Sequence, residues 1–486
     1  GGDASESEGD TGGEVSGGVV EDLPPTIDAL LIDGLPAPAL LEIDAVRSAL
    51  IEVSAADDHG VAEVALEIDG VEVEVALAPP YRFTWEIDDL VAESPRTLRA
   101  LVRDDEGQEG ASAPIKVTFD LPPPGSERWL VLPVGANAEL VADLAVDGPQ
   151  VIAVGHREGV DQGSQALLRR HDRSSGALVG ESAFPAIADG ERYRAEAVAV
   201  ADAGWIAVAG SGSHGDTEGL WLARFSADGA LLGERLYGEL AGVARGIAVD
   251  GDALVVVGDG GDDDEPRARL ARFSVDLEPL WARTVGPEVC AWSSGRGLAL
   301  AEDGTIFTAG TIVVDAKPRL LAAAHTPAGD LVWGGPAEAA GVEGDFGAGL
   351  AIGHDGDLAV AGAIADAEGQ QMAIRWLRSD TGESRGVFPI PRIGEGDEII
   401  TAITVDHHHR VYVTATVDTG IGGRDVIVFK RSLDGGASLW ERVFDGSSHG
   451  DDLGAAIAVD TNGQVYAGGA LIHLGAPRWW ISALSP

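Results

Sequence analysis

The chain has 486 residues, 45% of them hydrophobic, and carries 33 basic against 80 acidic side chains, a formal charge of −47. Acid spread along the whole length repels nucleic acid and anionic lipid, which excludes a DNA- or RNA-binding role. No apolar run reaches the ~18 residues of a membrane-spanning helix, and the single cysteine, Cys290, cannot close an internal disulfide.

Residues 1–22 open with GGDASESEGDTGGEVSGG, a composition too poor in apolar side chains to offset the entropy of ordering, and are expected to be a flexible acidic tether. The stretch lacks an initial Met and resembles the spacer that follows the lipid-modified cysteine of bacterial lipoproteins. That resemblance implies a lipid anchor upstream of Gly1 and an extracellular or cell-envelope location.

From Leu23 short segments alternate with period two, as in ALIEVSAAD, AEVALEIDG, VEVEVALA, YRFTWEID and IKVTFDL. Asp-Gly and Pro-Pro turns part them, which predicts an antiparallel sandwich over 23–121. The opening Pro24-Pro25, the turn from Ala55 to Val61, Asp69-Gly70 and the run from Ala78 to Trp85 carry a resemblance to bacterial immunoglobulin-like domains. Trp85 is expected in the core between the sheets. The prolines of 122–126 make a short, semi-rigid linker.

Beyond the linker a small-residue strand recurs at Ala145, Ala199, Ala248, Ala299, Ala351, Thr404 and Ala458, every 49 to 54 residues. Ten or eleven positions later a second apolar strand ends at Gly155, Gly210, Gly258, Gly310, Gly362, Ala415 and Gly469. Third and fourth strands follow, and four strands per ~50 residues is the signature of a β-propeller blade. The last copy, at the C-terminus, lacks its fourth strand, and RWLVLPVG (128–135) supplies one. The expected fold class is therefore all-β: an immunoglobulin-like sandwich followed by a seven-bladed β-propeller over 127–486, closed by an N-terminal outer strand. From Trp440 to Gly469 the Gly-Asp-Asp loop, the Ala-x-Ala-Val-Asp strand and the Asn-Gly turn resemble the propeller repeats of secreted bacterial proteins.

In such a fold the turns between first and second strands are tight, and the longer, varied connections gather on the opposite face, where recognition usually sits. Candidate binding residues there are His214, Asp216, Asp262, Asp263, Asp264, Trp292, Phe346, Asp397, His449, Asp451 and Asp452. Gly446-Ser447-Ser448-His449-Gly450 fits a G-x-S-x-G nucleophile pattern but runs from strand to strand rather than into a helix. His407-His408-His409 occupies a hairpin position and reads as a turn rather than a metal site. Asp262 to Glu265 could hold Ca2+ weakly through hard oxygens, without the regular spacing of a calcium loop; no other cofactor is expected. Trp281, Trp333 and Trp440 recur in one strand position and are expected to pack between neighbouring repeats. The leading functional expectation is a noncatalytic binding module engaging a protein or glycan at the cell surface. The alternatives are a polysaccharide lyase or hydrolase acting at the propeller channel and a purely structural surface protein.

Overall fold

The computed structural model describes residues 22–43, 47–87, 95–133, 137–159, 163–184, 191–240, 242–260, 266–286, 290, 292–336, 346–353, 355–366, 369–394, 398–406, 408, 410–420, 422–432 and 437–486. Among the described residues every regular element is a strand, and no helix is long and apolar enough to cross a membrane. The chain divides into two compact units that meet between Leu121 and Pro122.

The first unit holds two sheets. One pairs Thr26–Ile32 with Leu35–Pro36 and Arg47–Ala56, and the latter with Tyr81–Ile87; the other centres on Arg96–Asp104 and Val61–Ile68. Alternation decides the core. Ile51, Val53, Phe83 and Trp85 of one sheet are buried with Val64, Leu66, Ala100 and Val102 of the other. Trp85 meets Phe119 edge-on, with ring centroids 6.4 Å apart.

The second unit is a succession of four-stranded antiparallel ladders in chain order. The fifth, for example, runs Phe346–Ile352, Leu358–Asp366, Gly369–Leu377 and Ser384–Pro389. The first two ladders are joined by a single parallel bridge, Ser164 to Arg192. The last combines both ends of the unit: Leu453–Val459, Val465–His473 and Ala476–Leu484 are completed by Glu127–Val131, with Trp129 opposite Ala483 and Val131 opposite Ile481. First strands of consecutive ladders adjoin, and Leu453–Val459 adjoins Glu139–Asp147.

Every one of the seven first strands carries a β-bulge where it pairs with the second. The extra residues are Ala142, Glu196, Arg245, Arg296, Ala348, Thr401 and Ala455. A bulge re-aims one side chain and bends the strand. It also explains the glycine that faces it in most second strands, which lies inside the strand and not at its end as expected from sequence: Gly155 within Gln150–Glu158, Gly210 within Ile206–His214, Gly310 within Ile306–Val314 and Gly469 within Val465–His473. A Cβ on Gly155, Gly210, Gly310 or Gly469 would lie 1.9 to 2.0 Å from the carbonyl oxygen of Leu140, Arg194, Ser294 or Leu453.

Outer-strand tryptophans join one sheet to the next. Trp129 packs on Gly176, Trp281 on Gly329, Trp333 on Gly382 and Trp440 on Gly125. Each of these glycines has a positive φ, and their bare Cα surface admits the indole. Trp129 Nε1 donates to Arg173 O at 2.9 Å and Trp333 Nε1 to Ser379 O at 2.7 Å. The aspartate that follows the first strand holds the turn after it. Asp460 Oδ1 accepts from the amides of Asn462 and Gln464, and Asp406 Oδ1 from those of His408 and Arg410.

Candidate functional site

A cavity of about 710 Å3 opens in the second unit, and all seven bulge residues line it. The bulges therefore do more than bend strands. They deliver one side chain from each sheet to a common space. Four of the seven, Ala142, Ala348, Thr401 and Ala455, are small, which keeps that space open. The other three come from consecutive sheets and are charged: Glu196, Arg245 and Arg296.

Asp259, from the second strand of the third sheet, completes a charged arc along one wall. Arg245 Nη1 lies 3.5 Å from Glu196 Oε2, and its Nε 3.5 Å from Asp259 Oδ2. Asp259 Oδ1 also accepts from the Gly295 amide of the fourth sheet at 3.0 Å. Burial pushes the Glu196 and Asp259 carboxyls up, and the neighbouring guanidinium groups pull them back. Arg296 is open to solvent in the cavity yet enclosed by protein on several sides; that enclosure, and then the like charge of Arg245, lower its affinity for a proton. The lining from the other sheets is mostly apolar, with Leu140, Ile399 and Leu453 beside the polar Gln370 and Thr401, and half-buried Trp292 comes from the same sheet as Arg296. The two threonine hydroxyls of the wall are committed to the backbone: Thr401 Oγ1 donates to Thr414 O at 2.9 Å, and Thr311 Oγ1 accepts from Gly347 N at 3.1 Å.

Of the residues expected from sequence to form a binding face, Trp292 reaches this cavity. His214 and Asp216 lie on an exposed hairpin of the second sheet, where His214 Nδ1 is paired with Glu191. Phe346 opens the first strand of the fifth sheet. Asp262, Asp263, Asp264 and Asp397 lie outside the described residues, as do Glu265, His407 and His409. Glu196, Arg245, Asp259 and Arg296 escape a search of the loops because they sit within strands. A column of the repeat does mark three of them: the bulge residue stands three positions before each of the recurring small residues, from Ala145 to Ala458.

His449, Asp451 and Asp452 gather elsewhere, in the connection from the sixth sheet to the seventh. The G-x-S-x-G stretch there holds two separate pairs rather than a connected nucleophile, base and acid. Ser447 Oγ is 2.7 Å from His473 Nδ1, whereas Asp445 Oδ2 is 2.6 Å from His449 Nδ1. Ser448 Oγ accepts from the Gly475 amide at 3.0 Å. Asp451 Oδ1 accepts from the Arg424 amide at 3.1 Å, and Asp452 lies beneath the loop, its carboxylate taking the amides of Gly446 at 2.6 Å and Ile472 at 2.5 Å. These contacts fix the loop to the neighbouring strands.

Residues 42–100 match the family of the bacterial Ig domain, so the first unit is similar to such domains. No curated protein matches the chain. Among solved structures, a protein from Lactobacillus plantarum is similar at 14% identity and a TM-score of 0.45, over 69% of this chain and 91% of its own. A protein of unknown function from Dyadobacter fermentans is similar at 12% identity and a TM-score of 0.45, over 75% of this chain and all of its own.

Proposed function

We propose that the seven sheets are the blades of a closed β-propeller, and that the protein is a noncatalytic binding module, secreted or attached to the cell envelope, whose channel mouth takes a protein or glycan. The observation that carries this reading is the cavity to which every sheet contributes its bulge residue. Closure is supported by the adjacency of consecutive first strands, including last to first. It is also supported by a final sheet drawn from both ends of the unit, since such a clasp removes open edges. Similarity of the first unit to bacterial Ig domains supports a place outside the cell or on its surface.

The chemistry of the arc favours binding over bond breaking. General acid–base catalysis needs a group free to exchange a proton with substrate. Glu196 and Asp259 instead flank one guanidinium, and the nearby threonine hydroxyls engage the backbone. A charged arc in a lining that is otherwise mostly apolar and includes a tryptophan suits a ligand with both polar and apolar faces, as sugars and peptide segments have.

The test is to probe the intact protein on an array of polysaccharides and by capture from cell-envelope extracts, beside Trp292→Ala and Arg245→Ala. A species retained by the native protein and lost by both variants is expected. No retained species, or one retained equally by both variants, would contradict the reading.

A further inference from the structure

We propose that the seam between the sixth and seventh sheets is a divalent-cation site of the hard, oxygen-preferring class, with Ca2+ the fitting ion, held by Asp425, Asp445 and Asp452. Asp425 is the second residue of the third strand of the sixth sheet, Asp445 follows the fourth strand, and Asp452 precedes the first strand of the seventh. One carboxylate oxygen from each lies within 4.8 Å of the others. Oxygens on a common Ca2+ at about 2.3–2.6 Å can stand no further apart than about twice that bond, so the three are already spaced to share an ion.

Two further observations point to a cation. Asp425 is only 2% exposed, and its Oδ1 has no hydrogen-bond partner; Thr419 Oγ1 serves its Oδ2 alone. A buried carboxylate oxygen without a donor is costly, and the cost rises with other carboxylates beside it. Burial, together with Asp445, raises the Asp425 carboxyl, and burial with Asp445 and Asp425 raises that of Asp452. The charged groups facing the cluster include Asp418, Asp445 and His449, so like charge outweighs unlike.

The second observation comes from the repeat. Counting from the pairing of second and third strands, the position of Asp425 is held in the other sheets by Gln165, Gly219, Arg267, Arg319, Gln371 and Arg478. Where these side chains bond to a loop they do so as donors: Gln371 Nε2 to Ile390 O at 2.9 Å, and Arg478 Nη1 to Asn137 O at 2.9 Å. The sixth sheet alone places an acid there. An ionised Asp cannot donate, so the positive end that a donor supplies elsewhere is left, in the sixth sheet, to a metal ion beside the carboxylates of Asp445 and Asp452.

Calcium titration calorimetry on the full chain, stripped with EDTA, tests this beside Asp425→Asn and Asp445→Asn. The native protein is expected to show one saturable site more than either variant, above the diffuse binding of so acidic a chain. Its thermal midpoint should fall on EDTA treatment, while those of the variants should not move. Asp445 is exposed, so the second variant keeps the fold if the first does not. Equal stoichiometry in all three proteins would overturn the assignment. So would Asp425→Asn melting higher than native protein saturated with Ca2+, because that would mean the carboxyls share a proton and not an ion.

Discussion

Asp143 of the first sheet reaches into the second, where its Oδ2 accepts a 2.9 Å hydrogen bond from the backbone amide of Val198, while its Oδ1 accepts from Leu144 at 2.8 Å. The residue directly after a bulge thus latches two neighbouring sheets. Burial pushes the Asp143 carboxyl up to about 6, against the two amides that favour its charged form. The native state therefore holds this proton more tightly than the unfolded chain does. The contribution to stability is fully present below the ordinary carboxyl value of 3.8 and is lost as pH rises through about 6. Asp143→Asn leaves one amide without its acceptor, at a cost of about 1–2 kcal/mol. Because Asn does not titrate, the difference between native and variant thermal midpoints measured from pH 4 to 8 should carry a step near pH 6, the native protein losing its advantage as pH rises.

In most sheets the bulge crowds the glycine that faces it inside the second strand. Gly469→Ala would set a methyl 1.9 Å from Leu453 O, backbone against backbone, so one strand must move. A loss of about 2–4 kcal/mol is expected in denaturant unfolding. The sixth sheet carries Ala415 at this position, opposite Ile400, and Ala415→Gly should cost no more than about 1 kcal/mol.

Trp129 ties the strand Glu127–Val131 to the turn of the first sheet, through Gly176 and the carbonyl of Arg173. Trp129→Ala should cost about 2–4 kcal/mol. Limited proteolysis should then cut first near residues 122–133, before any site between the later sheets. Cleavage distributed as in the native protein would show that this strand contributes little to holding the ends together.

Strands and turns were legible in the sequence because burial on one face writes itself as alternation, and because a repeated unit repeats its constraints. Trp85 in the sandwich core and the tryptophans at 281, 333 and 440 could be placed for that reason. The cavity was not legible in the same way. A bulge interrupts alternation by one residue, so Glu196, Arg245 and Arg296 look like polar breaks in an apolar strand rather than side chains turned toward one space. Asp425 was hidden similarly: it is the second residue of an ordinary third strand, and only the glutamines, arginines and glycine at the same position elsewhere make its charge conspicuous. Loop residues such as His214 were visible as polar, but polarity in a loop does not say where a side chain points.

The bulge position offers the most direct test of binding in the cavity. Ala348 lines the cavity, and an indole fits within its volume, so Ala348→Trp should fill much of that space while shifting stability by less than about 1 kcal/mol. Binding of the species recovered with the native protein should be measured on this variant after its thermal midpoint is shown to be unchanged. Loss of at least about tenfold in affinity, equivalent to about 1.4 kcal/mol, is the expected result. Undiminished binding by a folded Ala348→Trp protein would contradict a site in the cavity.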